Sequence, residues 1–136
     1  MTASINLFAN VNPSKDNWIS AGSGVSGAGF QFVISKNYAR TEVYMSRGST
    51  DENKFIFDKL YQQKEIEKQA GTFDWERLDD KKASRIKQEL KGVSLYEKDD
   101  WKKMMDFMME SMLKIENAFK KPLQIINREL KEHFKE

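Results

Sequence analysis

The sequence predicts an α+β fold of order ββαββα, with a mostly antiparallel four-stranded sheet covered on one face by two helices. Three observations carry that reading. Residues 29–46 alternate apolar and polar side chains around a two-residue turn signal, the period of paired strands. Residues 50–70 and 100–120 bring apolar residues back every three or four positions, the period of a helix. Between the two helical stretches, residues 72–91 return to alternation.

In chain order, residues 1–28 read as a loop-rich arm, with a turn signal at Asn12-Pro13-Ser14 and Trp18 as an anchor to the core. Residues 20–29, SAGSGVSGAG, hold four of the seven glycines and predict a surface loop leading into a strand. In GFQFVIS, residues 29–35, Phe30, Phe32 and Ile34 alternate with Gln31 and Val33. Lys36-Asn37 suits a two-residue hairpin turn, because Asn tolerates positive φ. Over 38–46, Tyr38, Arg40, Glu42 and Tyr44 fall on one face, and Ala39, Thr41, Val43 and Met45 on the other. Ser49 followed three residues later by Glu52 fits a capping box and starts a helix over 50–70. Its apolar stripe is Ile56, Phe57, Leu60 and Tyr61, and Gly71 stands where a left-handed C-cap is wanted.

TFDWERL, residues 72–78, predicts a third strand, and Asp79-Asp80-Lys81-Lys82 a connection. Residues 83–91 fit either period; a strand is favoured because Gly92 and Val93 follow and a second hairpin completes the sheet. Asp99 or Asp100 caps a helix over 100–120, in which Trp101, Met105, Met108, Met112, Ile115 and Phe119 repeat at 4-3-4-3-4 spacing. Met104, Phe107 and Met109 widen that stripe. Pro122 lacks an N–H, so it predicts a break and then a second helix over 122–134 with Leu123, Ile126 and Leu130 inward. The expected buried residues are Trp18, Phe32, Ile34, Val43, Phe57, Leu60, Trp75, Met108, Met112 and Phe119. The organisation is a single domain over 1–136, an arm at 1–28 and a core at 29–136.

Composition narrows the chemistry. At 136 residues, 39% hydrophobic and 32% charged, the chain has enough apolar surface for one core, and nine Phe, four Tyr and three Trp argue against disorder. No apolar run approaches the ~18 residues of a membrane span, and no basic-then-apolar leader opens the chain. The expectation is a cytoplasmic protein without a membrane partner. Absence of cysteine excludes disulfides, thiolate metal sites and cysteine nucleophiles. A single histidine, His133, removes zinc sites built on several His and argues against a Ser-His-Asp centre. The net charge of +2 is too small to imply nucleic acid by itself. Residues 77–91 are locally basic, however: Arg77, Lys81, Lys82, Arg85, Lys87 and Lys91 face only Asp79, Asp80 and Glu89.

Gly22-x-Gly24-x-x-Gly27 matches the dinucleotide pattern literally, but no strand precedes it and no helix follows, so it reads as a flexible loop. Walker A is absent. Glu42, Glu76, Asp79 and Asp80, with Lys81 and Lys82, are the only material for a Mg²⁺-dependent nuclease. The Asp-x(n)-Glu-x-Lys spacing is missing, because Tyr44 and Leu78 stand where the lysine belongs. The competing reading is structural ion pairing within 79–85. The candidate nucleic-acid contacts are Lys36, Tyr38, Arg40, Arg47, Lys81, Lys82, Arg85 and Lys87: tyrosines on which bases stack, and cations that neutralise phosphates. The helix-free face of the sheet would carry them. The bland alternative is a solvent face with cross-strand pairs such as Arg40 with Glu76. The Met-rich helix either packs on its own sheet or pairs with a second copy in a homodimer.

NPSKDNWISAGSGVSG, FVISKNYARTEVYM, RGSTDENKFIFDKL, FDWERLDDKKASRI and MDFMMESMLKIENAF together resemble the domain of unknown function 4268 family over about residues 6–123. WERLDDKKASRI is the most specific part. The resemblance implies a bacterial or archaeal protein of a family that occurs alone or C-terminal to nuclease-like regions, sometimes near restriction-modification genes. It implies no activity for the domain itself. The functional expectation is a non-enzymatic accessory domain without cofactors that binds nucleic acid or a partner protein in a restriction- or defence-like system. The alternatives are a metal-dependent nuclease, or a degenerate relative, using Mg²⁺, and an oligomerisation module working through the Met-rich helix.

Overall fold

The alternating segments become strands and the helical periods become helices. A computed structural model describes residues 17–25, 27–63 and 72–134. The described elements are β1 (Asn17–Val25), β2 (Ala28–Ile34), β3 (Tyr38–Met45), α1 (Thr50–Tyr61), β4 (Asp74–Glu76), β5 (Ser84–Lys91) and α2 (Lys98–His133). The strands form one antiparallel sheet in the order β1-β2-β3-β5-β4.

The α+β fold and its ββαββα core stand as expected, including the Lys36-Asn37 hairpin turn, closed by Ser35 N–H donating to the Tyr38 carbonyl at 2.9 Å. Residues 84–91 form a strand. One strand was not foreseen. Residues 20–25, read as a surface loop, belong to β1, which pairs with β2 from Asn17↔Ile34 to Ala21↔Phe30 and again at Val25↔Ala28. Glycine carries little strand propensity, but the outer edge of β2 offers backbone donors and acceptors that an adjoining segment satisfies. The register shifts between Ala21 and Val25, the stretch that holds Gly22 and Gly24.

Register assigns the faces. Phe30, Val43 and Ile86 form one row across three strands, and Ala28, Met45 and Ser84 another. These rows face the helices. Ile56, Phe57 and Leu60 of α1 join them in a core with Met112, Ile115, Phe119, Leu123, Ile126 and Leu130 of α2. A second cluster gathers Ile34, Ala39, Val93, Leu95, Met104 and Met108. The half-buried Phe32 touches both clusters. Thr41, opposite Phe32, accepts a 2.6 Å hydrogen bond from the Ser111 hydroxyl, and both residues are buried.

Helix ends depart from expectation for local reasons. Ser49 Oγ accepts from Glu52 N–H at 3.3 Å, but the Glu52 carboxylate takes the Arg47 Nε at 2.9 Å instead of returning to the cap, so half the box forms. Helix α1 stops at Tyr61 with Gln62 as cap. The expected continuation over 64–70 and the Gly71 cap lie outside the described residues. Helix α2 begins at Lys98 with Glu97 as N-cap, so Asp99 and Asp100 fall inside its first turn instead of capping it, and Asp100 Oδ2 accepts from Ser94 N–H at 3.0 Å. It also runs through Pro122 without the expected break. Phe119, Leu123, Ile126 and Leu130 stay in phase on the core, and their burial outweighs one missing backbone bond. Of the predicted core, Ile34, Val43, Phe57, Leu60, Met108, Met112 and Phe119 are buried. Phe32 and Trp75 are half-buried, and the Trp18 side chain lies outside the description. Among the described residues no helix is long and apolar enough to cross a membrane.

Candidate nucleic-acid interface

On the sheet face away from the helices, strand alternation lines up Gln31, Arg40, Glu42, Tyr44, Glu76, Arg85, Lys87 and Glu89. Opposite charges meet there. Arg40 Nε lies 2.6 Å from Glu42 Oε1 and its Nη1 3.8 Å from Glu89, while Gln31 Nε2 donates to Glu42 Oε2 at 2.5 Å. Lys87 Nζ lies 3.2 Å from Glu89 and 3.6 Å from Glu76, and Arg85 donates to Glu76. The Arg40 guanidinium also covers the Tyr38 ring at 5.1 Å. Side-chain exposure is 12% for Arg40 and Lys87 and 1% for Glu42, so this face is a closed ion network, not a set of bare cations.

The expected Arg40–Glu76 pair does not form, because β5 lies between β3 and β4. Arg40 stands opposite Glu89, and Glu76 opposite Arg85. Burial disfavours the charged Glu76, but the hydrogen bond and charge of Arg85, then Lys87, outweigh it and hold this carboxyl below the ordinary glutamate range.

The four carboxylates weighed for Mg²⁺ are not brought together. Glu42 and Glu76 are two strands apart and spoken for by Arg40, Arg85 and Lys87; Asp79 accepts from Arg77; Asp80 sits in an exposed turn. Among the described residues no three His, Asp or Glu gather as metal ligands.

The remaining cations divide between the two ends of the sheet. Lys36 lies in the β2–β3 turn. Arg47, Lys81 and Lys82 lie at the other end, about 25 Å away by strand rise. At that end Asn53, buried on α1, ties two chain segments together: its Nδ2 donates to the Arg47 carbonyl at 3.1 Å and the Lys82 carbonyl at 3.0 Å, and its Oδ1 accepts from Arg47 N–H at 2.7 Å. Lys54, one residue on, is also buried. Its Nζ donates to the carbonyls of Arg77, Leu78 and Ala83 and to Ser84 Oγ, at 2.5–2.9 Å. Burial, then the Arg77 charge, pull the Lys54 pKa below the ordinary lysine value, against the pull of Asp79, Asp58 and Asp80. Leu78 sits at φ 56, a left-handed conformation that costs a non-glycine residue about 1–2 kcal/mol. Loop 77–83 is therefore a fixed object. It presents Lys81 and Lys82 exposed and, among the described residues, without an ion-pair partner.

Beside it, Phe57, Tyr61 and Trp75 line an open cleft of about 450 Å³ with Asp58, Gln62 and Arg77. Its rim is fixed by Arg77 Nε donating to Asp58 at 2.9 Å. Asn53 and Lys54 were missed in the sequence, although a signal exists: Asn53, Ile56, Phe57 and Leu60 share i, i+3, i+4, i+7 spacing, so Asn53 occupies a core-facing position. A polar residue there must find buried partners.

The family described as "Domain of unknown function (DUF4268)" matches residues 1–123. The chain belongs to the DUF4268 family. Neither a curated protein nor a solved structure matches it. In this DUF4268 chain, WERLDDKKASRI spans β4, the fixed loop and the start of β5, so the segment that carries the resemblance is the one that Lys54 clamps.

Proposed function

We propose that this chain is a non-enzymatic accessory domain that binds nucleic acid at the end of the sheet where α1 starts. Lys81 and Lys82 would contact phosphates; Arg47 and Arg85 lie at the same end of the sheet but are already ion-paired to Glu52 and Glu76. The observation that carries this reading is the clamped loop: Lys54 and Asn53 anchor its backbone, while its two lysines stand free of ion pairs among the described residues. Cations on a preorganised loop meet phosphates without first being ordered. About 12 Å further along α1, by helix rise, the cleft beside Phe57 presents the exposed Tyr61 and the half-buried Trp75 to an unpaired base. Single-stranded nucleic acid is therefore the favoured partner. Arg40 and Lys87, neutralised on the sheet, fall outside the proposed contact, and Lys36 lies too far off. The scatter of Glu42, Glu76, Asp79 and Asp80 supports a binding domain over a nuclease. The restriction- or defence-like setting enters from the family resemblance.

Fluorescence anisotropy with labelled single- and double-stranded oligonucleotides, titrated across salt, tests the reading. Lys81→Ala with Lys82→Ala should weaken binding roughly tenfold and flatten the salt slope by about 1–2, with the melting temperature unchanged. Absence of salt-dependent binding, or a double variant that binds as well as wild type, overturns it. Mg²⁺-dependent cleavage abolished by Asp79→Ala would bring back the nuclease.

A further inference from the structure

We propose that the oxygens around Lys54 Nζ form a monovalent-cation site whose occupant is the chain's own ammonium group. The Arg77 carbonyl lies 2.5 Å from Nζ, the Leu78 and Ala83 carbonyls 2.8 Å, and Ser84 Oγ 2.9 Å. An ammonium has three N–H bonds, one fewer than the oxygens that surround it. It is held as a charge in a cage, not through one bond per partner. The cage is also built without the lysine. Ser84 Oγ donates to the Arg77 carbonyl at 2.7 Å, Lys81 N–H donates to the Leu78 carbonyl at 2.9 Å, and the ladder partner of Ser84 is Met45. The left-handed Leu78 shapes the same turn.

The ligand chemistry selects the cation. Three backbone carbonyls and a hydroxyl are neutral oxygens, the set that replaces the hydration shell of a potassium-sized ion. Mg²⁺ requires a near-octahedral shell at about 2.0–2.1 Å, and Ca²⁺ sites draw on carboxylates, of which the cage has none. Neither demand is met. Burial and the Arg77 charge oppose a positive occupant, and Asp79, Asp58 and Asp80 offset part of that from outside the cage, so the four oxygens themselves must hold the cation. Shortening the side chain should therefore leave a site that free K⁺ or NH₄⁺ enters. This holds whether or not the loop binds nucleic acid.

Thermal melting of wild type, Lys54→Ala and Lys54→Met in equal concentrations of KCl, NH₄Cl, LiCl and choline chloride tests the site. Lys54→Ala should melt several degrees higher in KCl and NH₄Cl than in the other two salts, once wild-type salt effects are subtracted, and the gain should saturate with concentration. Lys54→Met, whose methyl group ends about one bond short of the Nζ position and caps the cage with an apolar group that leaves no room for an ion, should show no such gain. The proposal is overturned if Lys54→Ala follows wild type across all four salts, stays unfolded in all of them, or gains no more than Lys54→Met.

Discussion

Thr41 and Ser111 are 70 positions apart, yet their hydroxyls meet 2.6 Å from each other among apolar side chains. Removing Ser111 takes away the donor to Thr41 Oγ1 where water cannot replace it, while removing Thr41 leaves Ser111 only the longer 3.3 Å bond to the Met108 carbonyl. Thr41→Val alone, or Ser111→Ala alone, should cost about 1–3 kcal/mol, while the double variant should lose clearly less than the sum. Urea denaturation of all four proteins checks this. Glu76 gives a pH signature. Its folded carboxyl titrates below the ordinary value of about 4.3, so its pairing with Arg85 and Lys87 stabilises the fold above that pH. The contribution fades as pH falls through the folded value. Glu76→Gln should therefore be less stable than wild type near neutrality, and the two should converge in acid, as read from denaturation midpoints across pH.

Helix α2 carries 36 residues with a proline inside. Pro122 has no N–H to give the Ala118 carbonyl, and the helix continues only because the apolar stripe on either side is buried. Pro122→Ala should restore that bond and raise stability by on the order of 1–3 kcal/mol, measurable by urea denaturation. The same stripe shows why the helix was legible in sequence while its continuity was not. Spacing reports which face is buried, and Pro122 reports a local backbone penalty; only the packed core decides between them. For β1 the opposite holds. Small residues such as Gly22, Ser23 and Gly24 carry no alternation, so nothing in the segment announces that β2 has a free edge beside it. Of the Met side chains on the stripe suggested for pairing two copies, Met104, Met108 and Met112 are buried against this chain's own sheet and α1, whereas Met105 and Met109 are half-buried.

Across the molecule, β3 lies between β2 and β5 beneath α2, whereas β4 is three residues long at the margin. Hydrogen exchange should be slowest in β3 and its ladder partners and fastest in β4; equal protection along both would contradict this layout. The candidate site was half legible. Alternation alone places Tyr38 and Arg40 on one face, while 83–91, with Arg85 and Lys87, fits either period; the neutralisation of these cations by Glu42, Glu76 and Glu89 depends on strand order, which no single segment encodes. The brevity of β4 matters beyond the fold itself. It bears carboxylates at Asp74 and Glu76 and gives a stray molecule almost no ladder on which to zip, so concentrated protein should resist amyloid growth from that border.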